Sequence, residues 1–484
     1  MTLHQLLPET RGVLAEREIG TITDDTRKVT AGDIFVAIKG KHFDGHSVAA
    51  DMLIKGAALV VTEQSLGLER ELTVGNTRAF YSEMASRYYG RPTRSLTLVG
   101  VTGTNGKSTF VTLLRHILSE NGIKCGSIGT ISVNTGEKEY EARLTTPEPM
   151  ELYRYFREMA DSGATHCAIE ASSQALSQHR LANERFHTAV FTNLTQDHLD
   201  WHGTMNEYFL AKRSLFDMCD NAVLNTDDKY GRNIADYLAD KNVTTVACSN
   251  KKQRGYFAAD ITSCGAAMKF TLTSEQEQRS YPVTLPLPGE YNVSNAVLAV
   301  AAAVTLGVTA QNAADALLSL KGVPGRSEVL YNEKFTVIRD YAHTEDALIK
   351  FISSVKPTTT GKVILVFGAA GERDKGKRAA MGRTAAHLAD FSVVTSDNPR
   401  FENEDDIIAE VAVGLDEAGG KYTRERDRRK AIQFALSVAT DGDLVLLCGK
   451  GHETYQVIGA DYLPFDEKEI VKNLIWGVGG EVPI

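Results

Sequence analysis

The chain of 484 residues lacks the marks of a metal-cluster scaffold, a membrane protein or a polyanion binder. Its six cysteines, Cys125, Cys167, Cys219, Cys248, Cys264 and Cys448, are scattered, with no C-x-x-C pair among them. That spacing excludes a cysteine zinc site and a disulfide framework, and it suits the reduced thiols of a cytoplasmic protein. The formal net charge of -9 excludes a general nucleic-acid or anionic-membrane binder. The longest apolar run, Ala296 to Val304, falls far short of the ~20 residues that span a bilayer, so a buried alanine-rich helix is expected there. The opening MTLHQLLPETRG lacks the basic-then-apolar build of a secretory signal, and no low-complexity segment or short-period repeat is present. A cytoplasmic monomer with neither a nucleic-acid partner nor membrane insertion is the expectation.

What is present reads as α/β. Apolar β-rich runs alternate with helical patterns almost throughout, and the length calls for two to four domains. GDIFVAIKG (Gly32 to Gly40) and GAALVVTE (Gly56 to Glu63) read as strands, with a helix over Ala79 to Tyr89. A boundary near residue 90 precedes a glycine loop. A second falls near Gly322 to Glu328, where two glycines and a proline follow a helical stretch and a strand, FTVIRDYA, begins at Phe335. Three domains result: 1–90, small and α/β; 91–324, central, P-loop-type with a parallel-rich sheet; and 325–484, Rossmann-like. In the last, VILVFG, FSVVTSD and LVLLCGKG each run straight into a charged motif, as ligand sites at the carboxyl ends of strands do.

The glycine loop is SLTLVGVTGTNGKST, Ser95 to Thr109. It misses the strict G-x-x-x-x-G-K-[ST] pattern, because Val101 stands where the first glycine should be. Its context restores the reading. A β-rich run enters, and Phe110, Leu113, Leu114, Ile117 and Leu118 leave at amphipathic helical spacing. Gly103, Thr104, Asn105 and Gly106 can bring backbone N–H groups to phosphate oxygens at a helix N-terminus. Lys107 can reach the β/γ-phosphates, and the Ser108 or Thr109 hydroxyl can ligate Mg²⁺. No N-K-x-D guanine motif occurs. Candidate metal ligands follow strands in the same region: Glu170 in HCAIEASSQALSQHR, and His198 in DHLDWH after TAVFTNL. Lys212 lies in YFLAKRSLF. Taken singly, each has an ordinary reading, as a helix cap, a packed histidine and a surface lysine.

Twelve ordered motifs carry a resemblance: DTRKVTAGDIFVA, GTNGKST, TTPEP, EASSQALSQHR, FTNLTQDHLDWHG, AKRSLF, YNVSN, GVPGRSE, DYAHTEDAL, GERDKGKR, SDNPR and GKGHETYQ. The whole chain resembles the Mur ligases, ATP-dependent amino-acid ligases of cell-wall precursor synthesis, whose nucleotide signature is G-T-N-G-K-[ST]. The resemblance implies an ADP-forming ligase that joins meso-2,6-diaminopimelate to UDP-N-acetylmuramoyl-L-alanyl-D-glutamate with ATP and Mg²⁺, through an acyl phosphate. It implies that Thr26, Arg27, Lys41, His42 and Phe43 hold the UDP end, and that Thr145, Thr146, Ser172, Gln178 and Arg180 hold the muramoyl-dipeptide. It places Lys107 and Ser108 on the phosphates, Asn295 near the adenine, and Arg326, Asp340 and His343 at the nucleotide seam. Ser108, Glu170, His198 and Lys212 become metal ligands, the lysine as a carbamate. Thr26, Gln174 and Ser327 depart from the family's usual serine, histidine and methionine.

For the acceptor amino acid, the resemblance assigns Arg373, Asn398 and Arg400 to the far carboxylate and Gly449 and Glu453 to an ammonium, and it counts Asp397 and Pro399 of the same DNPR motif among the substrate-binding residues. Three other readings stay open: the same ligase type using lysine, another ligase of the superfamily such as folylpolyglutamate synthetase, and a non-catalytic P-loop binding protein. For Arg400 the structural alternative is an ion pair with Glu402 or Glu404 at a helix start.

Overall fold

A computed structural model describes residues 1–477 except 9, 11–14, 42, 252–253 and 265–266. Backbone proximity groups the chain into two compact units. The first comprises residues 1–102, 122–189 and 210–221, and the second 103–121, 190–209 and 222–484.

The first unit opens with four parallel strands in the order β1 (Ile22–Thr23), β2 (Ile34–Val36), β3 (Leu59–Thr62) and β4 (Glu71–Thr73). The two strands read near the N-terminus are shorter than their apolar runs, each of which opens on a glycine in the left-handed region, Gly32 at φ +91° and Gly56 at φ +115°. The expected helix starts earlier, at Thr77, where the Asn76 side chain accepts from the Ala79 N–H at 2.9 Å and caps it. β5 (Thr97–Thr102), β6 (Cys125–Ile128), β7 (Ser132–Asn134), β8 (Glu139–Glu141) and β9 (His166–Glu170) follow. β5, β9 and β6 pair in parallel, while β7 and β8 add antiparallel edges. The division between units falls inside β10 (Phe186–Phe191), and β11 (Cys219–Asn225) straddles it again.

In the second unit the helix Lys107–Glu120 buries the five apolar residues that predicted it. The alanine-rich run lies buried inside the helix Glu290–Thr305, as expected. β12 (Thr244–Ser249) pairs in parallel with β13 (Tyr256–Cys264). β14 (Ala267–Ser274) and β15 (Arg279–Leu285) then continue antiparallel, so this part is mixed rather than simply parallel.

The C-terminal part of this unit is a six-stranded sheet. Its strands are β16 (Glu328–Asn332), β17 (Thr336–Asp340), β18 (Val363–Phe367), β19 (Phe391–Val394), β20 (Tyr422–Arg424) and β21 (Leu444–Cys448), in the spatial order β16-β17-β21-β18-β19-β20. Only β16 is antiparallel. β18 and β21 are buried at every position, which is why VILVF and LVLLC read as unbroken apolar runs. One face packs on the helices Glu345–Val355, Gly376–Leu388 and Glu404–Glu417, the other on Arg428–Val438 and Glu467–Trp476. A hairpin, β22 (Tyr455–Ile458) and β23 (Asp461–Pro464), follows. No helix among the described residues is long and apolar enough to cross a membrane.

An ion pair without solvent exposure ties this sheet together. Arg428 and Glu467 meet at 2.8 Å. The same guanidinium donates to the carbonyl of Cys448 at 2.8 Å and of Ser396 at 3.4 Å, at the carboxyl end of β21 and just beyond that of β19. Arg428→Met would strand a buried carboxylate and is expected to destabilise the fold by about 3–5 kcal/mol. In urea denaturation the Arg428→Met/Glu467→Met double variant should recover part of that loss.

Candidate active site

In the second unit the glycine loop is held by its neighbours on every side. Thr104 N–H donates to the Asn193 carbonyl at 2.8 Å, and Thr195 N–H donates to Thr104 Oγ1 at 3.0 Å. Asn105 N–H donates to Asn193 Oδ1 at 3.0 Å, and Asn105 Nδ2 to Asp346 Oδ2 at 3.2 Å. Gly106 precedes the helix Lys107–Glu120 at φ +91°, and a Cβ there would lie 2.4 Å from Asn295 Oδ1. Only glycine allows both that conformation and that approach. Lys107 Nζ donates to the carbonyls of Gly103 and Thr104 at 3.0 and 2.9 Å. Ser108 and Thr109 are buried behind it.

The loop faces a cavity of about 690 Å³ whose lining includes Asn105, Ser108, Asn295, Arg326, Asp340 and His343. Arg326 Nη2 donates to Ser108 Oγ at 3.3 Å, and its guanidinium carbon lies 4.5 Å from the centre of the Tyr341 ring. Its Nε is buried with no hydrogen-bond partner among the described residues, leaving a donor for an anion. Asp340 accepts from the N–H groups of Ser327 and Ala342 at 2.7 and 2.8 Å. Burial pushes its carboxyl above the ordinary value, against the pull of Arg326. His343 Nδ1 lies 2.7 Å from the Tyr341 carbonyl, which makes Nδ1 the donor and leaves Nε2 as an acceptor. Burial, and then the Lys377 charge, push this imidazole down to about 4.

Lys377 is a residue that sequence reasoning passed over. It belongs to GERDKGKR, in which Arg373 drew the attention. Arg373 is exposed and donates to the carbonyl of its neighbour Glu372 at 3.3 Å. Lys377 is partly buried, and that burial lowers its ammonium pKa against the charges of Asp197, Asp397 and Asp374.

The loops after β17, β18, β19 and β21 all leave the carboxyl ends of parallel strands. Asn398 Nδ2 donates to Glu453 Oε2 at 2.8 Å, and Gly371 N–H to the Asn398 carbonyl at 2.9 Å. Burial raises the Glu453 carboxyl, with Lys450 opposing it. Gly449, at φ +115°, would carry a Cβ 2.5 Å from Asp397 Oδ2. Pro399 follows Asn398, and its carbonyl packs against Gly371. Arg400 Nη1 donates to the carbonyls of Gly371 at 2.8 Å and Asn398 at 3.5 Å. The alternative ion pair is not formed, because Glu402 is taken by Arg378 and Lys375, and Glu404 by Arg426.

His198 adopts φ +53° ahead of the helix Leu199–His202. Its side chain is 44% exposed, with Nε2 3.5 Å from Asp197 Oδ2, so it is not a packed core histidine.

In the first unit Glu170 is 1% exposed. Its Oε1 accepts from the Thr130 N–H at 2.8 Å and its Oε2 from Thr130 Oγ1 at 3.0 Å. Thr130 Oγ1 also lies 3.0 Å from Thr145 Oγ1. The short helix here is capped by Ser172 and not by Glu170. Thr146 Oγ1 donates to the Glu170 carbonyl at 2.7 Å and lies 3.1 Å from Ser172 Oγ. Arg180 gathers the Thr146 carbonyl at 2.6 Å, Gln178 Oε1 at 2.5 Å and Glu148 at 2.5 Å. Ser82 Oγ donates to the Arg180 carbonyl at 2.8 Å. Lys212 is 1% exposed, so it is no surface lysine. Thr26, Arg27, Lys41 and Phe43 are partly or largely exposed, with Arg27 paired to Asp25 at 2.9 Å. His42 lies outside the described residues. Among the described residues no three His, Cys, Asp or Glu side chains gather as a metal site.

The description "Mur ligase family, catalytic domain" matches residues 18–89, "Mur ligase middle domain" 101–303, and "Mur ligase, glutamate ligase domain" 325–451. The chain is 36% identical over 470 residues to the UDP-N-acetylmuramoyl-L-alanyl-D-glutamate–2,6-diaminopimelate ligase of Clostridium perfringens, covering 96% of each. This chain belongs to the Mur ligase family. Another Mur ligase of the same printed name, from Alkaliphilus metalliredigens, is 39% identical, with 94% of this chain and 93% of that protein covered. A solved structure bearing that name shares 31% identity at a TM-score of 0.69, with 99% of both chains covered. A folylpolyglutamate synthase of Mycobacterium tuberculosis, 15% identical at a TM-score of 0.64 over 77% of this chain and 92% of that one, shares the fold.

His343 is held neutral, so the unfolded chain takes up its proton more readily than the folded chain between pH 6.5 and about 4. Its stabilisation is fully present above 6.5 and is lost as the pH falls towards 4. The stability of wild type minus His343→Asn, followed by urea titration across this range, should decline with acidification and level off below about pH 4.

Proposed function

We propose that this chain joins meso-2,6-diaminopimelate to the D-glutamyl carboxylate of UDP-N-acetylmuramoyl-L-alanyl-D-glutamate at the expense of ATP, in the cytoplasmic synthesis of peptidoglycan precursors. The domains are those drawn from the sequence, 1–90 for the UDP substrate, 91–324 for ATP and 325–484 for the amino acid. The observation that carries the reading is Arg400. Its guanidinium is fixed by backbone carbonyls and, among the described residues, has no acidic partner, while the Glu453 carboxylate belongs to the same hydrogen-bonded network through Asn398. A cation and an anion so placed suit the ammonium and carboxylate at the far end of a diamino diacid. Lysine offers only the ammonium, and an arginine left without its carboxylate penalises it.

A carboxylate is a poor electrophile, so the D-glutamyl group must first be activated. It attacks the γ-phosphate, ADP leaves, and the acyl phosphate forms. The free amine then attacks the acyl carbon, and the tetrahedral intermediate expels phosphate. Lys107 and the spare Arg326 donor orient the triphosphate and screen its charge from the incoming carboxylate. Arg180 positions the dipeptide end, and the neutral His343 keeps an acceptor nitrogen at the nucleotide seam. The acyl phosphate must be kept from water, and closure about residues 322–328 serves that need.

In the first unit the buried Glu170 carboxylate and the oxygens of a carbamate on Lys212, and in the second the Ser108 hydroxyl, are hard oxygen donors of the kind Mg²⁺ takes, and the family resemblance adds the His198 imidazole as a nitrogen ligand. When bound, the ion neutralises charge between the nucleophile and the triphosphate. A carbamate also gives the nearly unexposed Lys212 an anionic oxygen-donor form.

Protein supplied with all three reactants should release ADP in step with tripeptide, and omission of any one should stop it. Lys212→Ala should lower that rate by about 100-fold or more, with partial rescue by bicarbonate or a small carboxylic acid. A fully active variant would exclude the carbamate. Arg400→Ala should raise the KM for diaminopimelate by roughly 30-fold, about 2 kcal/mol, and leave the KM for ATP within about two-fold.

A further inference from the structure

Between Gly449 and Glu453 lies a lysine to which the reaction scheme above gives no role. The Lys450 side chain is 0% exposed. A buried ammonium persists only where acceptors and opposite charge offset its lost hydration. Lys450 Nζ donates to Asn398 Oδ1 at 2.8 Å and lies 3.1 Å from Glu453 Oε2. It is also the leading charge that draws the buried Asp397 carboxyl down against desolvation.

These bonds fix more than the lysine. Asn398 Oδ1 also accepts from the Val457 N–H at 2.9 Å, so two donors orient the amide and turn Nδ2 to Glu453 Oε2. That oxygen is thereby used twice. Among the described residues Glu453 Oε1 keeps only a 3.5 Å contact with the Tyr341 hydroxyl, and Asp397 Oδ2 is buried with no hydrogen-bond partner. Across the two motifs, the negative charges of Asp397 and Glu453 balance the positive charges of Arg400 and Lys450. An amino-acid end with one ammonium and one carboxylate also sums to zero.

We propose that Lys450 is a positioning residue that sets the charge class of the acceptor: it fills the inner cation position, leaves one ammonium's worth of negative charge on Asp397 and Glu453, and so matches the pocket to a zwitterionic end. The inference rests on the reading of this chain as a diaminopimelate-adding ligase. Without Lys450 the same motifs carry one extra negative charge, which suits a lone ammonium such as that of lysine.

The test compares wild type, Lys450→Met and Lys450→Arg in ADP release with meso-diaminopimelate or lysine as acceptor, with folding checked by thermal denaturation. A wild type that ligates neither acceptor defeats the parent reading and with it this one. With an active wild type, we expect the KM for diaminopimelate to rise at least ten-fold in both variants, while those for ATP and the UDP substrate stay within two-fold. The preference for diaminopimelate over lysine in kcat/KM should fall at least ten-fold in Lys450→Met and survive in Lys450→Arg, which keeps the charge. An unchanged KM for diaminopimelate, an equal rise in all three KM values, or an unchanged preference in Lys450→Met overturns the proposal. If Lys450→Met does not fold, the KM pattern of Lys450→Arg decides alone.

Discussion

A parallel sheet covered by helices on both faces has nowhere to place polar function except at its strand ends, and the C-terminal sheet obeys that constraint. β18 and β21 are apolar at every position, and their neighbours carry the cores of both layers. Along the four parallel strands that lead to these loops, charge gathers where each strand stops: DYAHT from the last residue of β17, GERDKGK after β18, SDNPR after β19 and GKGHE after β21, with Arg339 of β17 paired sideways to Glu328 of the edge strand β16. The strand order turns back between β18 and β21, which opens the crevice into which these loops lead. Arg428 belongs to the same logic. It lies inside the sheet's helical cover, yet its hydrogen bonds end on carbonyls at two of those strand ends.

The electrostatics differ along the second unit. The cavity beside the glycine loop mixes acidic lining at Asp227, Asp228, Glu290 and Asp340 with the basic Lys251, Arg326 and Lys350, and one nitrogen of Arg326 has no partner among the described residues. That single nitrogen is the donor it offers to an anionic group. The DNPR and GKGHE loops alternate sign within a few ångströms, as a ligand of mixed charge requires. His343 carries no charge of its own near neutral pH.

Much of this was legible in the chain because burial leaves a periodic trace. The amphipathic spacing after Lys107, the alanine-rich helix and the apolar strands of the last region all follow from hydrophobic patterning. The glycine loop was legible despite Val101, since strand, glycines, lysine and helix outweigh one missing residue. Short strands near the N-terminus were read too long, because apolar composition does not mark where hydrogen bonding stops. Side-chain networks left no such trace. Nothing in the sequence tells that Glu402 belongs to Arg378 rather than Arg400, that Lys212 is enclosed, or that Thr130 serves Glu170, because each pairing depends on contacts between distant segments. Lys377 and Lys450 were overlooked for a related reason: a lysine's ordinary place is in solvent, and only burial makes it informative.

Thr130 grips both oxygens of Glu170 while its own hydroxyl touches Thr145. A hydroxyl has a single proton to give, so it cannot donate to the carboxylate and to Thr145 at once. Its proton goes to the carboxylate, so the Thr145 hydroxyl is left to donate to Thr130 Oγ1. The threonine loop, Thr130 and the acidic side chain thus form one directed relay of hydrogen bonds, each link oriented by the next.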